Sequence, residues 1–338
     1  MRQVWITKAG APEVVQVRSA PIPTPGPGDI RVRAGAIGVN FADIMGRLGI
    51  YVDAPKIPFI PGFELAGTVD AVGASVTAFR EGDEVMAAAR FGGYSEVVCV
   101  PAEQAIRRPA RMTVEQAAGF PVVFLTAYGA LVAMAGIRPG DHVLIQAAAG
   151  SLGLAAVEIC RVFGATIYGT ASRGKHDFLR ERGVHVPLDY RHFDREVRRL
   201  TGGRGVQIAL DSIGGRSWWR SYRALAPTGR LVVCGVTSTT AGMRRSIPAL
   251  IRFALGTPWL AFNPAALANA NKGALGVNFG RLWDELGLLR SWSDSLLAWY
   301  EEGKLRVHVD RVFPLEDAAA AHRYIQERRN CGKVILKP

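Results

Sequence analysis

The feature that most constrains the fold of this chain is a short apolar run that leads directly into a glycine turn. Residues 142–153 read HVLIQAAAGSLG, so that Gly150 and Gly153 stand at the predicted start of a helix. Small residues at such a turn let the backbone approach a pyrophosphate, whose charge is stabilised by free N–H groups and by the positive end of the helix dipole. Ala148 occupies the first position of the usual glycine pattern, so the interpretation depends on the surrounding sequence.

The surrounding sequence alternates between predicted strands and predicted helices. A strand at 142–147 is followed by a helix at 152–163 and a strand at 166–171. The alternation continues through strands at 184–188, 206–211 and 230–235, with helices near 175–182, 195–200 and 218–225. This pattern is typical of a doubly wound parallel sheet. We therefore predict a Rossmann dinucleotide-binding domain over residues 122–268.

The first 121 residues follow a different pattern. Short apolar runs at 30–32, 65–72 and 84–88 are separated by turns rich in glycine and proline, which is typical of a β-rich module. The chain has 338 residues, a length that favours about two domains. After residue 268 the sequence predicts helices at 293–302 and 315–328 and a closing strand at 333–336.

The end of the second predicted strand indicates which dinucleotide binds. Enzymes that use NAD carry an Asp or Glu about 20 residues after the glycines, where the carboxylate binds the ribose 2′-hydroxyl. Here residues 168–175 read YGTASRGK and contain no acidic residue. Ser172, Arg173 and Lys175 would suit a 2′-phosphate, which predicts NADPH as the cofactor. The alternative is that Arg173 and Lys175 only cap a loop in solvent.

Charge is unevenly distributed along the chain. Residues 1–121 carry 12 basic and 12 acidic side chains, whereas residues 122–338 carry 29 basic and 17 acidic ones. An anionic partner is therefore expected at the second part of the chain, unless the arginines only solvate the surface. The basic residues are scattered and no zinc-finger or RNP pattern is present, so no nucleic-acid partner is expected.

Cysteine use and hydropathy predict where the protein is located. Four cysteines lie far apart without a Cys-x-x-Cys pair, and the N-terminus does not resemble a signal peptide, which predicts a reducing, cytoplasmic location. The most apolar stretch, 247–270, is interrupted by Pro248, Arg252, Pro258 and Pro264. We therefore expect no membrane-spanning helix.

Further motifs carry a resemblance to a known family. They are GVNFADIMGRLGIY at 38–51, PGFELAG at 61–67, GDEV at 82–85, LTAYGAL at 125–131, AAAGSLG at 147–153, GTASRGKH at 169–176, LDSIGG at 210–215, TGRLVVCG at 228–235 and NCGKVILKP at 330–338. In order and spacing they resemble zinc-independent members of the medium-chain dehydrogenase/reductase superfamily, in the quinone oxidoreductase branch. Within that branch, SRGKH, MRRSIPALIRF and NCGKVIL are most similar to the vesicle amine transport protein subgroup.

The resemblance implies an α/β architecture of two domains with a cleft between them. Residues 1–121 would form a GroES-like β-rich catalytic domain, which residues 269–338 complete, and residues 122–268 would form the Rossmann domain. Phe63 stands where zinc enzymes of the superfamily place a His before the Glu, and the cysteines form no cluster of four. Catalytic and structural zinc each need such ligand sets, so no metal site is expected.

Three residues of the first domain are the catalytic candidates that the resemblance implies. Asn40 would orient the nicotinamide or the substrate carbonyl. Asp43 would line the cleft, or alternatively would bond the local backbone or Arg47. Tyr51 would protonate or stabilise a developing enolate, or alternatively would form an aromatic wall.

The resemblance also implies a set of cofactor contacts by position. They are Asn40, Thr126, Ala149, Gly150, Ser151, Leu152, Gly153, Thr170, Ser172, Arg173, Lys175, Tyr190, Ser212, Ile213, Gly235, Val277, Phe279 and Asn330.

Two functions are consistent with these features. The first is an NADPH-dependent, zinc-free reductase that transfers hydride to a quinone or to a conjugated enone or enoyl acceptor. Its substrate would be a hydrophobic small molecule, because the apolar segment 247–270 would wall the cleft or a dimer surface unless it is ordinary core. Relatives in the family are often dimers, so a homodimer is expected.

The second function is that of a lipid-binding, membrane-peripheral protein with a regulatory or vestigial dinucleotide site. Residues 243–253 read MRRSIPALIRF and combine cations with apolar side chains, as interfacial anchors do.

Overall fold

The computed structural model describes residues 1–240 and 242–338. Among these residues the strands form a seven-stranded sheet, a six-stranded sheet and a two-stranded sheet. The six-stranded sheet belongs to the predicted dinucleotide-binding domain, and the seven-stranded sheet belongs to the β-rich domain. The α/β fold class with two differently built domains is confirmed.

The first domain consists mainly of strands joined by short turns. Its elements are β1 (Arg2–Ile6), β2 (Val15–Ser19), β3 (Asp29–Val39), α1 (Phe41–Arg47), β4 (Glu64–Val72), β5 (Glu84–Ala88), β6 (Val97–Pro101), β7 (Ala105–Arg107) and α2 (Val114–Ala118). The apolar runs that the sequence predicted as strands lie in β3, β4 and β5. Helix α1 begins immediately after Asn40, so this residue lies where β3 gives way to a helix.

The second part of the chain has the alternating order that the sequence predicted. Its elements are α3 (Pro121–Tyr128), β8 (His142–Ile145), α4 (Ser151–Val162), β9 (Thr166–Thr170), α5 (His176–Glu181), β10 (Val186–Leu188), α6 (Phe193–Leu200), β11 (Val206–Asp211), α7 (Arg216–Arg223), β12 (Leu225–Val233), α8 (Ile247–Gly256), α9 (Pro264–Ala270), β13 (Gly273–Gly276) and α10 (Leu286–Glu301). The parallel sheet has the order β10-β9-β8-β11-β12-β13. The strand order reverses between β8 and β11, which is where doubly wound sheets bind their ligands.

The last segment of the chain pairs with the strands of the first domain. It contains β14 (Val309–Pro314), α11 (Ala318–Gln326) and β15 (Lys333–Lys337). Strand β15 pairs antiparallel with β3, with Val334 opposite Val39. Strand β13 pairs with β12 in the parallel sheet, so this sheet extends past the domain limit predicted at residue 268.

Some boundaries differ from the prediction for local reasons. The strand expected at 142–147 ends at Ile145, because Ala147 adopts a positive φ of 51° that an extended strand does not allow. The helix expected at 293–302 begins earlier, at Leu286, and Trp292 packs against Tyr128 of α3 with ring centroids 5.7 Å apart. Within the two described ranges, no helix combines the length and the apolar character that crossing a bilayer requires.

Candidate active site

The glycine turn between β8 and α4 is closely packed. A Cβ atom on Gly153 would lie 2.4 Å from the carbonyl oxygen of Ala147, which real Cβ atoms do not tolerate. The N–H of Gly150 donates to the same carbonyl oxygen at 2.9 Å and closes the turn. Ser151 and Leu152 then open α4, so their N–H groups lie in the first helical turn, where helices have no internal acceptors for them. The turn therefore leads into a helix start of the kind whose backbone N–H groups can bind an anion.

Ala148 fits at the first position of the glycine pattern because of a second glycine. A Cβ atom on Gly169, in β9, would lie 2.9 Å from the Cβ of Ala148. The small neighbour thus leaves room for the Ala148 methyl group, which is fully buried, and Ala149 beside it is buried as well. Gly169 therefore compensates for the alanine that replaces the first glycine of the pattern.

The C-terminal segment lies directly against this turn. Gly150 and Gly332 form an isolated parallel bridge, and the side-chain amide of Asn330 donates to the carbonyl oxygen of Gly332 at 3.0 Å. The Nζ of Lys175 donates to the carbonyl oxygens of Arg328 and Asn330, both at 2.7 Å. Three predicted cofactor residues, Gly150, Lys175 and Asn330, are therefore brought together from distant parts of the sequence.

The two predicted phosphate-binding cations have different surroundings. The Arg173 side chain is 88% exposed and lies 3.5 Å from a carboxylate oxygen of Asp189, so it faces solvent. Lys175 is half-buried and fixed to backbone carbonyls. Ser172 is exposed, and the half-buried Tyr190 has its pKa raised by burial.

A buried carboxylate that the sequence analysis did not single out shapes the loop after β11. Asp211 accepts hydrogen bonds from the backbone N–H groups of Ile213 and Gly214 at 2.8 and 3.2 Å, and from the hydroxyls of Ser217 and Ser221, both at 2.7 Å. Burial raises the pKa of Asp211. This carboxylate holds the backbone of the predicted cofactor loop, and its position inside the LDSIGG motif was the signal that could have identified it.

The other predicted cofactor residues contact neighbouring protein groups. Thr170 donates from its hydroxyl to the side chain of Gln146 at 2.7 Å, and Thr126 donates to the carbonyl oxygen of Val122 at 2.6 Å. Gly235 lies against Ser212, where a Cβ atom would be 3.0 Å from the Ser212 carbonyl oxygen. Val277 is half-buried beyond β13. These residues line the C-terminal edge of the parallel sheet or the neighbouring helix α3.

Asn40 lies in a buried polar cluster with two residues that sequence reasoning missed. Its Nδ2 donates to Oε1 of Glu64 at 2.8 Å, and its Oδ1 accepts from Nζ of Lys333 at 2.7 Å. Lys333 and Glu64 also form an ion pair at 2.5 Å, and both side chains are almost fully buried. The signals available were the Glu of PGFELAG and the Lys of NCGKVIL, which no local pattern connects.

Asp43 is enclosed and bonds the backbone, as the alternative interpretation expected. Its carboxylate accepts from the N–H groups of Asn40 and Gly62, both at 2.8 Å, and from the hydroxyl of Tyr94 at 3.2 Å. Burial raises the pKa of Asp43 to about 7. The Tyr94 hydroxyl also lies 3.2 Å from Nε2 of His322, whose pKa burial lowers to about 3. The structure gives Asp43 a role in holding the backbone of Asn40.

Tyr51 lies where the first domain meets the segment after β13. Its ring packs edge-on against Phe63 with centroids 5.9 Å apart, and Phe63 packs against Phe91 at 4.9 Å. A Cβ atom on Gly280 would lie 2.7 Å from the Tyr51 hydroxyl, so Tyr51 reaches the segment that contains Phe279. Burial, followed by the negative charges of Asp53 and Asp43, raises the pKa of Tyr51.

The donor set of the cleft does not fit zinc. Phe63 offers no ligand atom, and the neighbouring carboxylate of Glu64 already pairs with the ammonium group of Lys333. Across the described residues, no three His, Cys, Asp or Glu side chains lie close enough together to hold a metal ion. Positive charge beside Glu64 is supplied by a lysine side chain.

Sequence comparisons give matches to two domain families and to curated proteins. A model of the alcohol dehydrogenase GroES-like domain matches residues 26–110, and a model described as zinc-binding dehydrogenase matches residues 182–336. The synaptic vesicle membrane protein VAT-1 homolog of Rattus norvegicus is 39% identical over 345 residues, covering 100% of this chain and 84% of that protein. A quinone oxidoreductase of Pseudomonas aeruginosa is 33% identical over 344 residues, covering 100% of this chain and 99% of that protein.

Solved structures are similar along the whole chain. A human synaptic vesicle membrane protein VAT-1 homolog-like protein has a TM-score of 0.87 at 31% identity, covering 100% of this chain and 98% of that one. CurK enoyl reductase has a TM-score of 0.84 at 29% identity, with coverages of 99% and 98%. Mycobacterial Rv1454c complexed with NADPH has a TM-score of 0.84 at 31% identity and covers 100% of both chains.

Proposed function

The chain belongs to the medium-chain dehydrogenase/reductase family of oxidoreductases, and from that premise we propose that it is an NADPH-dependent, zinc-free reductase whose acceptor is a quinone or a conjugated enone or enoyl compound. The observation that carries the proposal is the ion pair between Lys333 and Glu64 beside Phe63. Because an ammonium group neutralises the carboxylate, the groups left to polarise an acceptor are N–H and O–H donors. Relatives that are a quinone oxidoreductase and an enoyl reductase support both acceptor classes.

The residues around the glycine turn fit a dinucleotide. The α4 terminus would bind the pyrophosphate, and Lys175 would bind the 2′-phosphate, with Asn330 and the Ser212–Ile213 backbone beside the cofactor. The NADPH complex of a mycobacterial relative supports this cofactor. NADPH supplies the hydride when it is bound.

The side chains of the first domain would act on the acceptor. Asn40 would donate a hydrogen bond to the acceptor oxygen as negative charge develops there, which lowers the barrier when the donor is fixed in a dry site. The Tyr51 hydroxyl is protonated at neutral pH, and burial raises its pKa further, so it would act on a developing enolate as a hydrogen-bond donor that can also supply the proton. Phe63, Phe91 and Phe279 would exclude water and favour a flat, apolar acceptor.

Lys175 provides the direct test of the cofactor. We expect Lys175→Ala to weaken NADPH binding about 10-fold to 100-fold, the effect of losing a charge-assisted hydrogen bond, and to leave NADH binding nearly unchanged. Fluorescence titration with each dinucleotide measures both affinities, and the exposed Lys304→Ala serves as control. Equal weakening of NADH and NADPH would contradict the assignment and would mean that Lys175 only holds residues 328–330.

A second candidate function is favoured by the surface of helix α8 and of Trp259, which follows the helix. Ile247, Leu255 and Trp259 are 65%, 84% and 68% exposed, although all three are large and apolar. Arg244 and Arg245 are exposed immediately before the helix. Cations beside an exposed apolar face are typical of helices that lie on an anionic membrane surface.

Vesicle sedimentation tests this second function. If α8 is an anchor, the protein sediments with phosphatidylserine vesicles at low salt but not with phosphatidylcholine vesicles. Reversing two charges with Arg244→Glu and Arg245→Glu is then expected to weaken binding at least about 30-fold. Unchanged sedimentation of the double variant would exclude the anchor.

The proposal extends to a homodimer in the cytoplasm. Strand β13 is one of the two outer strands of the parallel sheet among the described residues, and the unpaired edge of such a strand can pair with another chain. The four cysteines are free and well separated in sequence, which supports a reducing compartment.

A further inference from the structure

We propose that Lys333 and Glu64 are positioning residues that fix the carboxamide of Asn40 as a hydrogen-bond donor to the acceptor oxygen. This inference rests on the proposed reductase function and gives a role to two residues to which the sequence motifs assigned none.

The chemistry of the two partners allows only one orientation of the amide. An ammonium group has hydrogens to donate and no lone pair, so Lys333 can face only the oxygen of Asn40. A carboxylate only accepts, so Glu64 can face only the nitrogen. Rotating the amide by 180° would place like partners against each other at both ends, at distances of 2.7 and 2.8 Å. The amide is therefore fixed in one orientation.

One donor of Asn40 remains for a ligand. Nδ2 carries two hydrogens, and its bond to Glu64 uses one of them. The ammonium group on Oδ1 draws electron density from the amide, which strengthens the donor character of the remaining N–H. The backbone N–H of Asn40 is fixed separately by Asp43, at 2.8 Å.

The surrounding backbone leaves space for the pair. A Cβ atom on Gly38 would lie 2.6 Å from Oε1 of Glu64, and a Cβ atom on Gly119 would lie 2.8 Å from Cγ of Lys333. The second oxygen of Glu64 accepts from the N–H of Val122 at 2.8 Å, which ties the pair to the start of α3. The cluster is thus anchored from β3, β4, β15 and α3.

A gain in stability is a weak reason for burying this ion pair. A buried ion pair is often no more stabilising than well-packed apolar side chains of similar size, because both charges lose their hydration. Orienting an amide, in contrast, requires a donor on one side and an acceptor on the other. The pair therefore fits a positioning role better than a purely structural one.

The experiment removes both charges together. In the double variant Glu64→Gln, Lys333→Met the side chains keep nearly the same size, and no unpaired charge is left buried. We expect kcat with a quinone or enone acceptor to fall about 10-fold to 100-fold, while the Kd for NADPH and the Tm stay close to those of the unmodified protein. The primary isotope effect with 4-deuterated NADPH is expected to increase, because hydride transfer becomes more rate-limiting.

Matched variants separate positioning from general damage. Glu115→Gln, Lys337→Met removes an exposed ion pair at the end of the same strand and is expected to leave kcat unchanged. Glu64→Gln alone keeps the bond from Lys333 to Asn40 and is expected to lower kcat about threefold to tenfold. Lys333→Met alone removes the donor to Oδ1 of Asn40 and is expected to lower kcat by a similar factor. An unchanged kcat in both single variants would overturn the proposal even if the double variant did not fold.

The remaining outcomes distinguish this proposal from the proposed function. Full kcat in a folded double variant would overturn the positioning role and leave the reductase function intact. NADPH binding without reduction of any quinone or enone by the unmodified protein would overturn the reductase function, and the positioning role with it.

Discussion

Replacing Asn40 by Ala is expected to lower kcat about 100-fold to 1000-fold, the usual effect of deleting one oxyanion donor. The reason is that the variant loses the N–H that would stabilise charge on the acceptor oxygen. Binding of NADPH is expected to stay within about threefold, because the glycine turn and Lys175 are unchanged. Steady-state kinetics with a quinone and with an enone, together with NADPH titration, measure the two effects separately.

A suitable control for Asn40→Ala is Asn263→Ala. Both asparagines immediately precede a helix, and Asn263 caps α9 by accepting from the N–H of Ala266 at 2.9 Å. Its loss is expected to cost about 1 kcal/mol of stability with no change in kcat. Comparable kcat in Asn40→Ala and the unmodified protein would remove Asn40 from the active site.

Replacing Gly153 by Val is expected to weaken NADPH binding more than 100-fold and to destabilise the protein by about 3 kcal/mol. A Cβ atom at this position would lie 2.4 Å from the carbonyl oxygen of Ala147 and 2.6 Å from the Cα of Ala148. Because these are backbone atoms, the start of α4 must move away from β8. The helix terminus would then no longer face the bound pyrophosphate. Thermal unfolding and fluorescence titration measure the two losses.

Gly287→Val provides the matched control for Gly153→Val. Gly287 also lies in a helix, but a Cβ atom there would meet nothing within 4 Å. This substitution is expected to leave NADPH binding unchanged and to alter stability by less than about 1 kcal/mol. Retained NADPH affinity in Gly153→Val would show that the turn does not hold the dinucleotide.

The Rossmann part of the fold could be predicted because its signals are local. The alternation of strands and helices predicted β11 with its observed bounds and the other elements from β8 to β12 to within a few residues. Helices α8 and α9 and strand β13 were not predicted. The glycine turn was also predicted, because a close backbone approach demands small residues wherever it occurs. The positive φ of Ala147 was not predicted, because alanine rarely adopts such a conformation and nothing nearby in the sequence requires it.

For the site residues, the sequence indicated the position in the chain but not the direction of each side chain. Tyr51 lies at the domain junction beside the segment of Phe279, and Lys175 lies near Asn330, while the binding roles of these residues stay predictions. Asp43 carries the same motif signal as Asn40, yet burial and three donors make it a backbone anchor. A sequence motif identifies which residues lie near a site, whereas the direction of each side chain depends on its packing.

The sequence by itself determined the α/β architecture with two differently built domains and the glycine turn after β8, because periodicity and turn residues act over a few positions. Only the tertiary structure decided that Lys333 and Glu64 hold Asn40. Lys333 is 293 positions from Asn40 in the chain, and the pairing of β15 with β3 brings them together. Whether a lysine becomes a buried partner or a solvated side chain depends on such long-range pairing, which no local pattern encodes.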